Sequence, residues 1–311
     1  MTTAVLLCGQ LRTWRLCGPL LRKYLLDAHA CDVFMSVDLN NSKQSEWKNP
    51  TDSTPWEEMV AAIEFYRPKK VWWNDSYDFG AIRSRLGNQT LFPAYRRGRI
   101  DVALVGNEFQ FSQLQDTSTG QFFFERNTTP IYEPVFRQYY FVREAIALMT
   151  RHVADTGTVY ARVLRTRFDQ LFYTAPLLKG VYPRFERNAL GKILLSARNL
   201  HMAQHDLPTD SGLVLPLDSP GPREIYVFGA GDNHGTFYVN DQYWQASYAL
   251  TSAVLVNFYD ELVEIVRQCE RDGWPVMEAW TESWHARFLC NHCIAIKKSV
   301  IGDGDFVRGS S

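Results

Sequence analysis

The first 75 residues alternate between short apolar runs and longer stretches with helical spacing of apolar residues. The runs predict strands and the longer stretches predict helices, in the order 4–8, 11–26, 32–37, 54–66 and 70–73. A strand–helix–strand order with short connections returns each strand to the same side of a sheet, which makes neighbouring strands parallel. The sequence therefore predicts an α/β fold with a Rossmann-type, mostly parallel sheet flanked by helices.

The second of these helices has a well-defined start. Thr54 is a typical N-cap residue, Pro55 suits the first helical position, and Glu57 completes a capping box. The pair Arg67-Pro68 predicts the end of the helix, because the residue before a proline disfavours helical conformation.

Beyond residue 75 the pattern changes. Residues 76–130 are rich in Arg, Gly, Asn, Gln and aromatic residues and too long for an ordinary loop, so we predict an insertion with short elements. The sequence predicts helices at 133–152, 241–255, 257–272 and 276–291, strands or extended segments at 158–164, 192–197 and 225–228, and a loop at 201–225. Neither an internal repeat nor a low-complexity linker is present, which favours a single domain over residues 1–311.

Composition excludes several functional classes. Lys and Arg total 33 against 34 for Asp and Glu, so no basic excess indicates binding to nucleic acid or to an anionic membrane. We find no signal peptide and no run near the roughly 20 apolar residues of a membrane span, which predicts a soluble, cytoplasmic protein. The six cysteines are unevenly spread and are interpreted as free thiols.

Polar residues follow the first predicted strand directly. Cys8-Gly9-Gln10-Leu11-Arg12 combines a glycine, which lets a ligand approach the backbone, with an arginine suited to bidentate phosphate recognition. Ligands of open α/β sheets bind at the carboxyl ends of strands, which is where this segment falls. The alternative is a strand-to-helix turn with a solvated arginine, because one glycine is far short of a dinucleotide fingerprint.

The fourth predicted strand runs into Arg165-Thr166-Arg167-Phe168-Asp169. By the period of two, Arg165, Arg167 and Asp169 share the face of Val163, where burial without partners would be unfavourable. We therefore expect them beyond the strand end, in a binding site or a paired network. Two arginines can neutralise a diphosphate, and an aspartate can hold a divalent cation or a sugar hydroxyl. A structural ion-pair network remains the alternative.

Asp241 is interpreted either as the N-cap of a helix or as a general base that faces an acceptor. Asp232 and His234 lie in a Gly-rich segment, where they are either metal ligands or residues of a mobile loop.

The predicted C-terminal helix places Glu278, Glu282 and His285 on one face, with the glutamates either solvated or part of a site. Aromatic residues at helical spacing on the same helix are assigned to the core: Trp280, Trp284 and Phe288. Cys290-Asn291-His292-Cys293 resembles a zinc motif only in part, because a structural site needs four ligands.

Together these segments resemble nucleotide-sugar glycosyltransferases of the GT-A fold, and more narrowly the small soluble transferases of large algal viruses and bacterial polysaccharide clusters. That family carries, in order, an sGqlRt segment, a DvF segment, an RxRxD segment, a DQ[FY] helix start and an E…H helix. The matching residues are Gly9-Gln10-Leu11-Arg12-Thr13, Asp32-Val33-Phe34, Arg165-Thr166-Arg167-Phe168-Asp169, Asp241-Gln242-Tyr243, and Glu282 with His285. Order and spacing agree over most of the chain except about 76–130.

The resemblance implies a role for each part of the chain. Residues 1–75 and 133–200 would form the nucleotide-binding core, 76–132 the insertion, and 200–311 the acceptor side with the C-terminal helices. The implied donor-binding residues are Gly9, Gln10, Arg12, Asn74, Arg165, Arg167 and Asp169, and the implied catalytic residues are Asp241 and Glu282.

The family's DxD motif, which holds a divalent cation, is altered in this chain. Arg167 stands where the first Asp would be, and Asp169 is the remaining carboxylate. Two alternatives stay open: Arg167 supplies the positive charge itself, or Asp169 holds Mn²⁺ or Mg²⁺ together with the diphosphate.

The resemblance implies transfer of a sugar from a nucleoside-diphosphate sugar, with UDP favoured, to a glycan hydroxyl, in a host cytoplasm if the chain is viral. By analogy, Trp73, Tyr77 and Tyr95 would help to shape the acceptor site. Two other functions remain open, a non-catalytic nucleotide- or glycan-binding module and a nucleotidyltransferase.

Overall fold

The structure is a computed structural model. It describes residues 2–39, 54–86, 99–114, 132–173, 184–187, 193–194, 196–207, 214–232, 237–239, 242–271, 281–301 and 303–306.

The first five elements confirm the predicted order. They are β1 (Thr2–Gly9), α1 (Trp14–Leu21), β2 (Cys31–Asp38), α2 (Pro55–Tyr66) and β3 (Lys70–Asn74). The predicted helix over 11–26 is divided, because α1 continues into a wider π-helical turn at Arg22–Leu26. The three strands pair in parallel, as the short crossovers require.

The capping box of α2 is confirmed. The Thr54 side chain accepts a hydrogen bond from the Glu57 backbone N–H at 3.2 Å, and the Thr54 N–H donates to the Glu57 carboxylate at 2.7 Å. The helix ends at Arg67, whose left-handed conformation (φ 50°) turns the chain into Pro68 and on to β3.

The region predicted as an insertion contains α3 (Gly80–Leu86), β4 (Arg99–Val105) and β5 (Glu108–Leu114). β4 and β5 form an antiparallel hairpin closed by Gly106 and Asn107, and the positive φ of Gly106 (66°) suits such a tight turn. Residues 87–98 and 115–131 of the predicted insertion, including Tyr95, lie outside the described residues.

The middle of the chain corrects two predicted strands. It contains α4 (Tyr132–Thr156), β6 (Tyr160–Thr166), β7 (Gln170–Tyr173) and α5 (Ala197–His205). β6 extends beyond the predicted 158–164, so Arg165 and Thr166 lie inside the strand. The strand predicted at 192–197 is reduced in the described residues to one antiparallel bridge between Ile193 and Arg187. It ends early because Ser196 caps α5 by accepting the Asn199 N–H at 3.1 Å. The helix also replaces the first part of the predicted loop at 201–225.

The last third contains β8 (Glu224–Val227), β9 (Ala230–Asp232), β10 (Phe237–Val239), β11 (Trp244–Ser247), α6 (Tyr248–Ala253), α7 (Phe258–Arg271), α8 (Thr281–Asn291), β12 (Ala295–Lys298) and β13 (Asp303–Phe306). The helix predicted over 241–255 is confirmed only in part, as α6, and Asp241 itself lies outside the described residues. Residues 244–247 form a strand, and Ser247 caps the helix that follows by accepting the Leu250 N–H at 3.2 Å.

Among the described residues, nine strands form one mixed sheet in the order β3-β2-β1-β6-β11-β8-β12-β5-β4. The pairings from β3 to β6 and between β8 and β12 are parallel, and the other four pairings are antiparallel. The chain builds outward from β1 to β3 on one side and then adds β6 on the other side of β1. The boundary between β1 and β6 is therefore the topological switch point of the parallel half.

Both faces of the sheet are covered. Leu6 and Phe34 lie in a core that includes residues of α4, α7 and α8, whereas Leu7 and Met35 lie in a second core with α1 and α2. Trp284 and Phe288 are buried, as predicted. No helix in the described ranges has the length and apolar character needed to cross a membrane.

Candidate functional site

Four strand ends meet along one edge of the parallel half. Leu7 pairs with Thr166, Gly9 with Val37, and Asp38 with Asn74. Because all four strands are parallel, their carboxyl ends lie along the same edge, where ligands of open α/β sheets bind.

The turn after β1 has unusual backbone geometry. Gly9 has φ 105°, and a Cβ built there would meet nothing within 4 Å, so glycine is favoured by conformation and the space beside it is open. Arg12 has φ 39°, which costs a non-glycine residue about 1 kcal/mol. The Arg12 Nε donates to the Gln10 Oε1 at 2.9 Å, so the turn fixes the direction of the arginine.

Asp169 binds two arginines at this edge. The Arg167 Nε donates to Oδ1 at 2.9 Å and its Nη2 donates to Oδ2 at 2.8 Å, while the Arg12 Nη1 donates to Oδ2 at 3.4 Å. Burial raises the pKa of Asp169, but Arg167 and Arg12 outweigh this and hold the pKa below its ordinary value. The aspartate is 2% exposed, whereas the side chains of Arg12 and Arg167 are 29% and 19% exposed. We call these three residues the arginine–aspartate cluster.

The cluster does not fit a divalent cation as its residues are arranged here. Both carboxylate oxygens of Asp169 accept hydrogen bonds from guanidinium groups, and a cation placed beside them would be repelled by two positive charges. Within the described ranges, no three His, Cys, Asp or Glu side chains come close enough to hold a metal ion.

A second ion pair at the same edge was missed by sequence reasoning. The Arg137 Nη2 of α4 donates to the Asp38 Oδ1 at 2.6 Å, and both side chains are less than a tenth exposed. A detectable signal was present, because Asp38 follows an apolar strand and Arg137 lies four residues before Phe141 on the buried face of its helix. The pair joins α4 to the end of β2 and rigidifies the edge.

Arg165 was predicted to lie beyond the strand end. In the structure it lies inside β6 with no exposed surface. Its guanidinium interacts with the Cys8 thiol and, through its charge, with His285 of α8. Burial raises the pKa of Cys8 to about 12, although Arg165 lowers it in part. Burial and the charge of Arg165 both lower the pKa of His285 to about 3, so this histidine is neutral at pH 7.

Asn74 lies at the end of β3 and is engaged locally. Its Oδ1 accepts a hydrogen bond from the Ser76 N–H at 2.7 Å, which is an Asx turn. The adjacent Trp73 is 46% exposed and meets Trp56 edge to face at 5.6 Å between ring centroids. Tyr77, in contrast, packs against the core and its hydroxyl lies 3.2 Å from that of Tyr259.

Asp241, His234 and Glu278 lie outside the described residues, as does Trp280. Glu282 falls within α8, but nothing is described of its side chain. Asp232 ends β9, which pairs with β10.

The residues of the partial zinc motif at the end of α8 do not converge on one point. The His292 Nε2 lies 2.9 Å from the Glu261 carboxylate, while Cys290 and Cys293 are free and exposed. The three other cysteines with described side chains, Cys8, Cys17 and Cys31, are also free thiols.

A further buried carboxylate, Asp218, lies in the region predicted to be a loop. Its carboxylate accepts hydrogen bonds from the Val300 N–H at 3.0 Å, from Gln245 at 2.8 Å and from the Ser299 hydroxyl. Burial raises the pKa of Asp218, and the hydrogen bonds from Ser299 and Val300 and the nearby Arg162 offset only part of that rise. No motif in the sequence signals this network, because its members come from three distant segments.

No protein-family model matches this chain, and no curated protein matches it in sequence.

Proposed function

We propose that this chain is a glycosyltransferase that moves a sugar from a nucleoside-diphosphate sugar, with UDP favoured, to a glycan hydroxyl. The observation that carries the proposal is the meeting of Arg12, Arg167 and Asp169 at the switch point between β1 and β6. A crevice at that position is where an α/β sheet binds nucleotides.

The cluster suits a diphosphate. Arg12 and Arg167 are partly exposed and held in fixed directions by Asp169, so two guanidinium groups are preorganised for an anion. The open space beside Gly9 lets a phosphate approach the backbone closely. Negative charge on the diphosphate grows as the bond to the sugar breaks, and fixed positive groups stabilise that charge without reorganising.

In this proposal Asp169 is a positioning residue for the arginines. The guanidinium groups supply the positive charge that a Mn²⁺ or Mg²⁺ ion would supply at a DxD motif. This favours the first of the two alternatives derived from the altered motif, and it predicts that a metal chelator leaves turnover unchanged.

The acceptor side of the proposal rests on the resemblance. Asp241 is proposed as the general base for the acceptor hydroxyl and Glu282 as a second catalytic carboxylate. Support comes from Trp244, three residues after Asp241 in the sequence, which pairs with Arg165 near the carboxyl end of β6. The chain therefore enters β11 close to the edge that carries the arginine–aspartate cluster.

The direct test is to incubate the protein with a panel of nucleoside-diphosphate sugars and glycan acceptors and to measure released nucleoside diphosphate. We expect release with at least one donor, and a loss of about 100-fold or more in Arg12→Ala and Arg167→Ala. Arg198→Ala is the matched control, because Arg198 is 70% exposed and pairs only loosely with Glu186, at 3.6 Å.

The outcomes separate the three functions. If the wild type releases nucleoside diphosphate and Arg12→Ala and Arg167→Ala release it equally fast, the assigned site is refuted. Binding of nucleoside diphosphates without release from any donor identifies a binding module, and pyrophosphate formed from a nucleoside triphosphate and a sugar phosphate identifies a nucleotidyltransferase.

A further inference from the structure

The C-terminal end of α8 carries two thiols in a defined turn. The Cys293 N–H donates to the Cys290 carbonyl at 3.0 Å, and the Ile294 N–H donates to the Leu289 carbonyl at 3.0 Å. Cys293 has φ 51°. This combination is the Schellman motif, in which the residue after the helix adopts the left-handed conformation.

The residue at the left-handed position is unusual. Glycine or asparagine normally occupies it, because a Cβ strains the left-handed backbone. Cys293 is exposed, so burial of its side chain does not offset that strain. A strained residue retained at the surface is a reason to look for a chemical role.

The turn brings the two cysteines within reach of each other. A hydrogen bond from residue i+3 to the carbonyl of residue i holds the two Cα atoms within about 7 Å, and disulfides span about 4.4 to 6.8 Å between Cα atoms. Both cysteines are exposed, so a small disulfide can reach either sulfur.

We propose that Cys290 and Cys293 form a surface dithiol that small disulfides, such as glutathione disulfide, oxidise to an intramolecular disulfide. One thiolate attacks the small disulfide, forms a mixed disulfide and releases one glutathione thiolate. The second protein thiolate then attacks the protein sulfur of the mixed disulfide and releases the second glutathione. Two protein thiols lose two protons and two electrons, and one glutathione disulfide becomes two glutathione thiols.

The two cysteines lie at the turn that connects α8 to β12. Cys293 lies between α8 and β12, and the neighbouring His292 contacts Glu261 of α7. Ring closure would therefore lock the turn that ends α8, two residues before β12 begins. The inference is independent of the proposed transferase activity.

The test oxidises the folded protein with glutathione disulfide and analyses it by intact mass and peptide mapping. We expect the wild type to lose two hydrogens in one peptide that contains both cysteines. Cys290→Ser and Cys293→Ser should stop at the mixed disulfide and carry about tenfold more bound glutathione than the wild type, because the intramolecular thiol competes at high effective concentration. Cys31→Ser is the control and should behave as the wild type.

Two results would overturn the proposal. In one, the wild type accumulates as much mixed disulfide as Cys293→Ser. In the other, the internal disulfide forms no more readily in the folded protein than in urea, which would mean that the turn does not position the thiols. Cys293→Gly checks the backbone separately, since it relieves the left-handed strain, keeps the fold and should also stop at the mixed disulfide.

Discussion

Two buried carboxylates in different regions of the molecule have opposite pKa shifts. Asp169, at the carboxyl ends of the parallel strands, is 2% exposed and has a lowered pKa. Asp218, in the segment before β8, is 4% exposed and has a raised pKa. Burial raises the pKa in both cases, so the difference comes from the partners.

The partners differ in charge. Asp169 contacts two guanidinium groups, whereas the carboxylate of Asp218 accepts hydrogen bonds from a hydroxyl, an amide side chain and a backbone N–H. Neutral donors stabilise a carboxylate less than full positive charges do. Burial alone therefore does not set the direction of an aspartate's pKa shift; the charge of its partners decides it.

The largest expected effect is from Asp169→Ala. Removing the carboxylate leaves Arg12 and Arg167 close together without their shared partner, and we expect a loss of about 2 to 3 kcal/mol in the free energy of unfolding. The measurement is urea denaturation at pH 7. Asp155→Ala is the control, because Asp155 is exposed and solvent screens its ion pair with Lys70. Equal losses in the two variants would contradict the arrangement of the cluster.

Local signals in the sequence predicted local structure well. The capping box of Thr54 and Glu57 and the stop at Arg67 were found because their interactions span three or four residues. The α/β class, the order of the first five elements and the position of the parallel strands follow from periodicity in the same way.

Interactions between distant residues were not predictable. Arg165 was predicted to lie beyond the end of β6, because a charged residue favours the surface. It is fully buried inside β6, where it interacts with Cys8 and His285 from segments far away in the sequence. The ion pair of Asp38 and Arg137 spans 99 residues. Arg12 and Asp169 are 157 residues apart. Each was predicted to follow the end of a strand, and the parallel pairing of those strands brings the two residues into contact.

The opposite pKa shifts of Asp169 and Asp218 predict opposite dependences of the free energy of unfolding on pH. Asp169 has a lowered folded pKa, so its stabilisation is present above the unfolded value of about 3.9 and is lost as the pH falls through the folded pKa. Asp218 has a raised folded pKa, so its contribution is fully present below about 3.9 and is lost as the pH rises through the folded pKa.

Urea denaturation of the wild type, Asp169→Asn and Asp218→Asn between pH 3 and pH 7 measures this difference. The advantage of the wild type over Asp169→Asn should shrink as the pH falls below about 4, and its advantage over Asp218→Asn should grow as the pH falls from neutral, each by about 1.4 kcal/mol per unit of pKa shift. Two curves that change in the same direction would remove the distinction between the carboxylates.

The smallest expected effect is from Asp218→Asn at pH 7, below about 1 kcal/mol. The asparagine oxygen can still accept the Val300 N–H, but its new NH₂ group faces the NH₂ group of Gln245. The Gln245 Oε1 is buried and makes no hydrogen bond to the described residues, so rotating this amide by half a turn supplies an acceptor. The Tyr243 hydroxyl, which now accepts from Gln245, can then donate instead.

A double-mutant cycle with Gln245→Leu shows whether this rotation occurs. Leucine provides no acceptor for the asparagine NH₂ group, so Asp218→Asn should be more destabilising by about 1 kcal/mol in the Gln245→Leu background than in the wild type. Additive effects would show that the amide does not adapt. In that case the small loss expected for Asp218→Asn would have another origin, and the contrast between the two carboxylates would rest on Asp169 alone.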